Sequence, residues 1–167
     1  MAEAQTTTVV AASTKAKYWE KTVVKDGCWG WTGAVGSHGY GAIRVAKQDG
    51  GSQAKAHRVS YELHIGPIPA GAFVDHVCHT RSCTNPEHLR LATNKQNQEN
   101  RSGANRNNSS GVRGVTWDAD RSKWAGVVFH NGKPYRAGRH DTIEAAEVAV
   151  IAKRLELFTH SNMDRAA

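Results

Sequence analysis

The residues best suited to chemistry in this chain lie in one stretch, VDHVCHTRSCTNPEHLRLATNKQN, at positions 74–97. It contains an Asp-His pair, Asp75 and His76, followed by two cysteines, two more histidines and several amides. Thiolate and imidazole groups suit zinc, whereas carboxylate and amide oxygens suit hard cations such as Mg²⁺. A neutral imidazole is also a natural base for water near neutral pH. The stretch therefore predicts metal binding combined with water activation.

A zinc site is indicated by Cys78, Cys83 and His88, which form a C-x4-C-x4-H series. A closed structural site takes a fourth ligand, and Cys28 is the only cysteine left to complete it. In the alternative interpretation Cys28 is a small buried residue, and His79 or a water fills the fourth position. A structural zinc would contribute folding free energy on the order of 10 kcal/mol to a domain with a modest core.

For two further residues, residue type and spacing alone leave the role undecided. His76 ends the segment PAGAFVDH and is either the general base, a further zinc ligand or a polar surface residue. Asn97 follows Thr93 at the start of a helical run, and its amide oxygen suits Mg²⁺. By itself, one asparagine among many in this segment indicates almost nothing.

Charge and composition narrow the class of protein. The 167 residues carry a formal net charge of +7 and include five tryptophans, which favours a polyanionic partner such as nucleic acid. No stretch has the roughly 20 apolar residues of a membrane span, and no secretory signal is present. Three cysteines, an odd number, favour a reducing compartment. We therefore expect a soluble intracellular protein.

In the N-terminal part, short strands and one helix are predicted to position the candidate metal-binding and catalytic side chains. We predict a flexible tail over residues 1–16, because this segment is small, polar and aperiodic. Strands are expected near residues 28–33 and 41–46, with a turn at 49–51. A helix is predicted over residues 56–64, ended by GPIPAG, and PAGAFVDH forms a short strand.

The C-terminal part begins after a polar linker over residues 101–110. Alternating patterns predict strands at 112–117, 123–130 and 133–139, with a hairpin turn at Asn131-Gly132. A helix capped by Asp141-Thr142 should follow over 143–158. Its apolar stripe is predicted to consist of Ala145, Val148, Ala149, Ala152 and Leu155.

Charge is unevenly distributed within this C-terminal part. Residues 106–140 contain seven Lys/Arg and two Asp, whereas residues 141–167 contain three Lys/Arg and five Asp/Glu. The sheet is therefore basic and the helix acidic. This asymmetry predicts that the free face of the sheet meets phosphates.

Residues 28–100 resemble the HNH, or His-Me finger, endonucleases with a ββα-metal core, and among them the His-Cys box homing endonucleases. The resemblance rests on D-H-x-C-x4-C-x-N-P-x-H-L and the later asparagine, and the segments CWGWTGA, GYGAIRV and AHRVSYELHIGPIPAG are similar to phage-borne members. One departure is that no cysteines remain for the second zinc site of some His-Cys box enzymes.

The resemblance implies specific roles for single residues. His76 would be the general base, Asn97 would bind the catalytic Mg²⁺ (or Mn²⁺), and Asp75 is a candidate second ligand. Asn85 would brace the loop and orient His76, and Arg44 is a candidate to hold the scissile phosphate. The structural zinc would be held by Cys28, Cys78, Cys83 and His88.

Residues 111–158 resemble the plant-type APETALA/ethylene-response-factor (ERF) DNA-binding domain. GVRGVTWD, SKWAGVVFHNGKPYRAGRHDT and the EAAEVAVIAKRLELF helix occur in that family's order. In that family the sheet enters the major groove. The matching positions are Arg113, Trp117, Lys123, Trp124, Arg136 and Arg139. Trp117 or Trp124 could equally be core residues packed against the helix.

Together these patterns predict an α+β protein: a zinc-stabilised ββα-metal nuclease core, then a small three-stranded antiparallel sheet packed on one helix. The expected organisation is a tail (1–16), a nuclease domain (17–100), a linker (101–110), an ERF-like domain (111–160) and a tail (161–167). The expected function is a metal-dependent, site-preferring homing-type endonuclease acting on double-stranded DNA and leaving 5′-phosphate and 3′-hydroxyl ends. The alternative is a catalytically inactive, zinc-containing DNA-binding regulator. We expect a monomer or homodimer in the cytoplasm of a phage-infected or bacterial cell.

Overall fold

A computed structural model describes residues 10–166, which divide between Asn94 and Lys95 into two compact units. The protein has mixed α and β structure with small antiparallel sheets, which confirms the α+β class in its coarse form. Within residues 10–166, no helix has the length and apolar character needed to cross a membrane. The first unit contains α1 (Ala12–Glu20), β1 (Thr22–Val23), β2 (Gly30–Trp31), β3 (Ala42–Arg44), β4 (Gln53–Lys55), α2 (Ala56–His64), β5 (Phe73–His76) and β6 (Leu89–Ala92).

Helix α1 lies where the sequence predicted a flexible tail. Ala11, Thr14 and Tyr18 are buried, and their spacing places them on one face of the helix. The Tyr18 hydroxyl donates to Ser60 Oγ at 3.0 Å. The prediction of a tail over residues 1–16 is therefore wrong from Ala12 onward, and residues 1–9 lie outside the described part. Small residues concealed the helical period, because alanine and threonine give little hydrophobic contrast.

The core of the first unit forms where α2 packs beside the β3–β4 hairpin. Helix α2 spans Ala56–His64, which confirms the predicted helix. Its residue Val59 joins Ile43, Val45, Trp31 and Tyr18 in one buried cluster. This small core supports the part of the first unit that contains the loop with Cys78 and Cys83.

Strands β5 and β6 form the hairpin that carries the loop. They are antiparallel, with His76 opposite Leu89 and Asp75 opposite Arg90. The loop between them is the segment containing Cys78 and Cys83. The predicted short strand ending at His76 is thus confirmed.

The second unit contains the predicted three-stranded antiparallel sheet with a helix against it. Asn131 and Gly132 have φ of 51° and 74°, the left-handed conformation that a type I′ hairpin turn requires. A Cβ on Gly126 would lie 2.7 Å from Val150, so glycine lets the helix approach the sheet. The elements are α3 (Asn94–Glu99), β7 (Val115–Asp118), β8 (Lys123–His130), β9 (Lys133–His140), α4 (Ile143–Leu157) and α5 (Asn162–Ala166).

Helix α4 packs through a different face from the predicted stripe. Ala146 and Val150 are buried, whereas Val148 is 68% exposed and Leu155 40% exposed. The predicted stripe is therefore wrong for the exposed positions Ala145, Val148, Ala152 and Leu155. The helix is apolar on most sides, so periodicity alone could not select the face. Arg154 lies on the buried face, which a hydrophobic pattern does not anticipate.

A buried ion pair explains the position of Arg154. Its guanidinium donates to both carboxylate oxygens of Asp164, at 2.8 Å and 2.6 Å, and also to the Arg113 carbonyl. Asp164 lies in α5, where the sequence predicted a C-terminal tail over residues 161–167. That segment is instead helical as far as the described residues extend. Burial raises the pKa of Asp164, but hydrogen bonds from Arg154 and Ser161 outweigh burial and lower it.

Replacing Asp164 by asparagine is expected to destabilise the second unit by about 3–5 kcal/mol at neutral pH, because a buried guanidinium loses its counterion. The folded-state pKa of Asp164 is lowered, so its contribution is complete above the unfolded pKa, near 3.8, and is lost as the pH falls through the folded pKa. The free energy of unfolding in urea should therefore differ less between wild type and Asp164→Asn at pH 3 than at pH 7.

The matched control is Glu156→Gln, which removes an exposed carboxylate that pairs with Lys153. An exposed pair contributes about 0–1 kcal/mol, so this variant should unfold near the wild-type midpoint. If Asp164→Asn were no less stable than Glu156→Gln, the buried pair would have no special role in holding α5.

Candidate metal centre and active site

Four side chains in the first unit converge as a group that could hold a metal ion: Cys28, Cys78, Cys83 and His88, whose ligand atoms all lie within 4.8 Å of one another. The His88 Nδ1 atom lies 3.5 Å from Cys28 Sγ and 3.6 Å from Cys83 Sγ. Ligands of a tetrahedral zinc ion, about 2.3 Å (sulfur) or 2.0 Å (nitrogen) from the metal, lie roughly 3.5–3.8 Å apart. The donor set and spacing thus fit zinc and suggest a structural zinc ion.

The fourth member of this group is Cys28 and not His79. Cys28 is brought to the loop by hydrogen bonds that the loop residues donate to the carbonyls on either side of it. The Thr84 N–H donates to the Trp29 carbonyl at 3.1 Å, and the Asn85 amide donates to the Gly27 carbonyl at 2.5 Å. The segment before β2 is therefore fastened to the loop on both sides of Cys28.

Asn85 also shapes the loop on its other side. Its Oδ1 accepts the Glu87 N–H at 2.9 Å and so caps the short 3-10 turn Pro86–His88, which presents His88. Its own N–H donates to Cys83 Sγ at 3.4 Å. Asn85 is 4% exposed, and these contacts brace the ligand loop.

The two loop cysteines are poor anions without a metal. Burial raises the pKa of the Cys78 thiol, and burial raises that of Cys83 to about 12. A thiol ligates zinc as the thiolate, so a bound cation must provide the compensating charge.

His76, at the end of β5, is 6% exposed and lies beside this group without being part of it. Its Nε2 atom lies 3.0 Å from the Cys83 carbonyl oxygen. A carbonyl can only accept, so Nε2 carries the proton and the neutral ring keeps its lone pair on Nδ1. Burial lowers the pKa of His76, although the Cys83 carbonyl and Asp75 oppose this, so the ring is neutral near pH 7. A neutral imidazole with a fixed tautomer can act as a base.

Asp75 is held by a partner that the sequence did not reveal. Its Oδ2 atom accepts from Arg90 Nε at 3.0 Å and from Arg90 Nη2 at 2.9 Å across the β5–β6 pair. The alternation of strand residues could have suggested this cross-strand pair, had the register been known. The carboxylate is therefore fixed in place next to His76.

A second histidine, His57, was also missed by the sequence interpretation. It lies on the buried side of α2, is 4% exposed, and its ring centroid is 4.6 Å from that of His76 in an edge contact. Burial is the main cause that lowers the pKa of His57, to about 3, so this ring is neutral too. The available signal was helical spacing, because His57 lies three and four residues before Ser60 and Tyr61, which are also buried.

Two other predicted residues are placed at separate positions. Arg44 is exposed at the end of β3. Asn97 is half-buried on α3 and belongs to the second unit, whereas His76 belongs to the first. The roles predicted for Arg44 and Asn97 remain predictions.

Comparison with known proteins identifies the region around this site. Residues 54–99 match the HNH endonuclease family. Protein 3.8 of Escherichia phage T7 is 32% identical over 90 residues, which cover 54% of this chain and 74% of that protein. The chain belongs to the same family as this phage protein and contains an HNH endonuclease domain. At the family level the match supports a nuclease, a hydrolase of phosphodiester bonds, and HNH endonucleases act on DNA.

Other phage relatives match over shorter parts of their length. Protein 7.7 of phage T7 is 43% identical over 72 residues, which cover 43% of this chain and 52% of that protein. Protein 2.8 of the same phage is 37% identical over 75 residues, covering 45% and 49%. The chain thus spans about half the length of these two relatives. No solved structure gave a significant match.

The HNH match ends at Glu99, so the sheet of the second unit lies beyond it. Trp117 and Trp124 are direct partners across β7 and β8 and so share a face of that sheet. Trp124 packs against the core cluster, whereas Trp117 is 47% exposed. The two rings contact each other edge to face, with their centroids 5.0 Å apart. This places both tryptophans on the side of the sheet that faces α4.

The predicted DNA-binding cations differ in how they are held. Arg136 is exposed on β9. Lys123 is hydrogen-bonded to Asp141, and Arg139 Nε donates to Asp118 at 2.7 Å, so nearby carboxylates partly neutralise both. Any phosphate contact by these two residues would compete with those ion pairs.

Arg113 has internal partners. Its guanidinium donates to the carbonyls of Gln98 at 3.1 Å, Glu99 at 3.1 Å and Arg101 at 2.6 Å. These bonds brace the segment after α3. A DNA contact by Arg113 remains a prediction and would have to replace some of these bonds.

Proposed function

We propose that this protein is a metal-dependent, site-preferring DNA endonuclease of the homing type, leaving 5′-phosphate and 3′-hydroxyl ends. The observation that supports it best is His76, a buried neutral imidazole whose tautomer is fixed by the Cys83 carbonyl. This residue lies inside the segment that matches the HNH endonucleases. The phage relatives are compatible with action inside a host cell.

His76 acts as the general base in this proposal. Its Nδ1 lone pair takes a proton from water as the water oxygen forms a bond to phosphorus, and the bond from phosphorus to the 3′ oxygen breaks in line. The 3′ oxygen leaves and takes a proton from solvent water, which gives the 3′-hydroxyl end. The hydrogen bond from Nε2 to the Cys83 carbonyl stabilises the imidazolium, because the proton on Nε2 stays paired.

A divalent ion would be held by Asn97, and Asp75 is the candidate second ligand. Carboxylate and amide oxygens are the hard donors that Mg²⁺ or Mn²⁺ takes, so the chemistry of the donors fits, although Asp75 Oδ2 also accepts two hydrogen bonds from Arg90. When bound, such an ion would polarise the scissile phosphate and stabilise charge on the leaving oxygen. The zinc group would take no part in the reaction.

Two residues are proposed to support the base. Arg44, exposed at the end of β3, would hold the scissile phosphate through its charged fork. Asn85 would orient His76 indirectly, because it braces the loop whose Cys83 carbonyl holds the imidazole.

The second unit is proposed to bind double-stranded DNA in the manner of an ERF-like domain. Support comes from its three-stranded sheet, whose outer strand β9 carries the exposed Arg136. Contacts of Trp117 or Trp124 with DNA would have to be made from the helix-facing side. Tethering this unit to the nuclease would raise the local concentration of the active site near a preferred sequence.

The proposal is tested by nicking of supercoiled plasmid with Mg²⁺ added or omitted. Omission is preferable to a chelator, which would also strip zinc. Wild-type protein should produce open-circular DNA only when Mg²⁺ is present, and the nicks should be sealed by a ligase that requires 5′-phosphate and 3′-hydroxyl ends. Specific DNA binding without any nicking would favour the inactive regulator.

Replacing Asn97 by alanine is expected to lower the nicking rate by about 10²-fold or more, because a metal ion contributes several kcal/mol of transition-state stabilisation. The matched control is Gln98→Ala, which removes a neighbouring exposed amide on α3. Single-turnover rates should separate the two variants, and excess Mn²⁺ should partly restore Asn97→Ala. Equal rates for both variants would exclude Asn97 as a ligand.

A further inference from the structure

Two cations from separate segments lie over one aromatic ring in the first unit. Lys55 Nζ is 4.6 Å from the centroid of the Tyr40 ring, and Arg81 Cζ is 5.8 Å from it. Tyr40 precedes β3, Lys55 ends β4, and Arg81 lies in the loop between Cys78 and Cys83. We refer to Tyr40, Lys55 and Arg81 as the Tyr40 cluster.

The cluster is held in place while its cations stay in contact with solvent. Arg81 Nη1 donates to the His38 carbonyl at 2.9 Å, and its side chain passes Gly39, where an added Cβ would lie 3.6 Å from Cδ. Tyr40 is half-buried, whereas Lys55 and Arg81 are exposed. Positioned cations lose less conformational entropy when they bind an anion than mobile ones do.

The cluster adjoins the proposed base. The Tyr40 ring centroid is 6.0 Å from that of His76 and 5.2 Å from that of His57, which itself contacts His76. An anion bound over Tyr40 would therefore lie one aromatic ring away from the imidazole. In a polynucleotide, that is the neighbourhood of the phosphates that flank the reacting one.

The charge balance distinguishes these cations from others in the protein. Arg90, Arg139 and Arg154 are each paired with a carboxylate. Within residues 10–166, neither Lys55 nor Arg81 forms an ion pair with a carboxylate of the same chain. Their positive charge is available to an external anion, and the guanidinium fork matches a phosphate group.

We propose that the Tyr40 cluster binds backbone phosphates of DNA next to the scissile bond, with Lys55 and Arg81 as positioning residues. This inference rests on the proposed nuclease function and adds the residues that register the strand beside His76. If the cluster were only structural, its cation–π contacts would contribute about 0.5–1 kcal/mol to stability and nothing to DNA affinity.

The test is the salt dependence of binding to a short DNA duplex, measured without added Mg²⁺. Removing one cation that binds a phosphate should reduce the slope of log K against log salt concentration by about 0.9, so Lys55→Gln/Arg81→Gln should reduce it by roughly twice that amount. The control is Lys17→Gln, an exposed lysine on α1, which should keep the wild-type slope. Tyr40→Phe should also keep it, because the ring that holds both cations remains.

Metal content and urea midpoints report whether the variants are folded, so a smaller slope in a folded variant can be assigned to the missing cations. A wild-type slope in the folded double variant would overturn the inference. If the nuclease proposal itself is wrong, a different result shows it: wild-type protein with Mg²⁺ does not nick the plasmid.

Discussion

Replacing His76 by alanine is expected to lower the rate of plasmid nicking by about 10²- to 10⁴-fold at saturating Mg²⁺ and DNA, the range that general-base catalysis contributes. The imidazole is buried, its Nε2 proton is held by the Cys83 carbonyl, and burial keeps the ring neutral near pH 7. Its removal eliminates the group that would accept the proton of the attacking water.

The comparison of His76→Ala with His76→Gln separates chemistry from packing. Glutamine can still donate to the Cys83 carbonyl but cannot accept a proton from water. Both variants should therefore lose activity to a similar extent while they bind DNA normally and keep their metal. His64→Gln, which replaces an exposed histidine of α2, serves as the control and should retain wild-type rates. Nicking by His76→Gln at the wild-type rate would remove His76 from the mechanism.

Replacing Cys83 by serine is expected to abolish metal binding and to unfold the first unit. Cys83 is 1% exposed and belongs to the group of four ligands. A structural zinc site contributes on the order of 10 kcal/mol to folding, comparable with the whole stability of a small domain, about 5–15 kcal/mol. A serine hydroxyl is a much weaker zinc ligand than a thiolate, so most of this contribution is lost.

Elemental analysis and near-ultraviolet circular dichroism of the tryptophans measure this outcome. Wild-type protein should contain about one zinc per chain, and Cys83→Ser should contain little. The neighbouring Ser82→Ala variant serves as the control, because Ser82 is outside the ligand group. Full zinc content and wild-type stability in Cys83→Ser would show that the four side chains do not form the structural site.

Most of the elements could be predicted because their signals are local. Helix α2 and strands β8 and β9 follow from hydrophobic pattern and turn chemistry, and the Thr142 hydroxyl caps α4 by accepting the Ala145 N–H, as predicted. Helix α1 was missed because the residues before Tyr18 are mostly small and show little hydrophobic period. The buried face of α4 was missed because the helix is apolar on most sides, and the burial of Arg154 depends on Asp164, ten residues further along the chain.

In the candidate site, too, the features with local signals could be predicted and those that depend on distant contacts could not. Cys78, Cys83 and His88 could be predicted from spacing, and Cys28, 60 residues from His88, followed only from the need for a fourth ligand. Ring contacts among Tyr40, His57 and His76 bring together three separate segments, so no local pattern encodes them. The pairing of Arg90 with Asp75 likewise depends on the register of a hairpin.

The central claim is that zinc is structural and that the reaction needs Mg²⁺. It is tested most directly on one sample of purified protein. Zinc content and nicking of supercoiled plasmid are measured before and after addition of Mg²⁺. We predict about one zinc per chain throughout, no nicking before the addition, and nicking that begins with Mg²⁺ while zinc is retained. Nicking at full rate by the zinc-loaded protein alone would contradict the assignment of separate roles to the two metals.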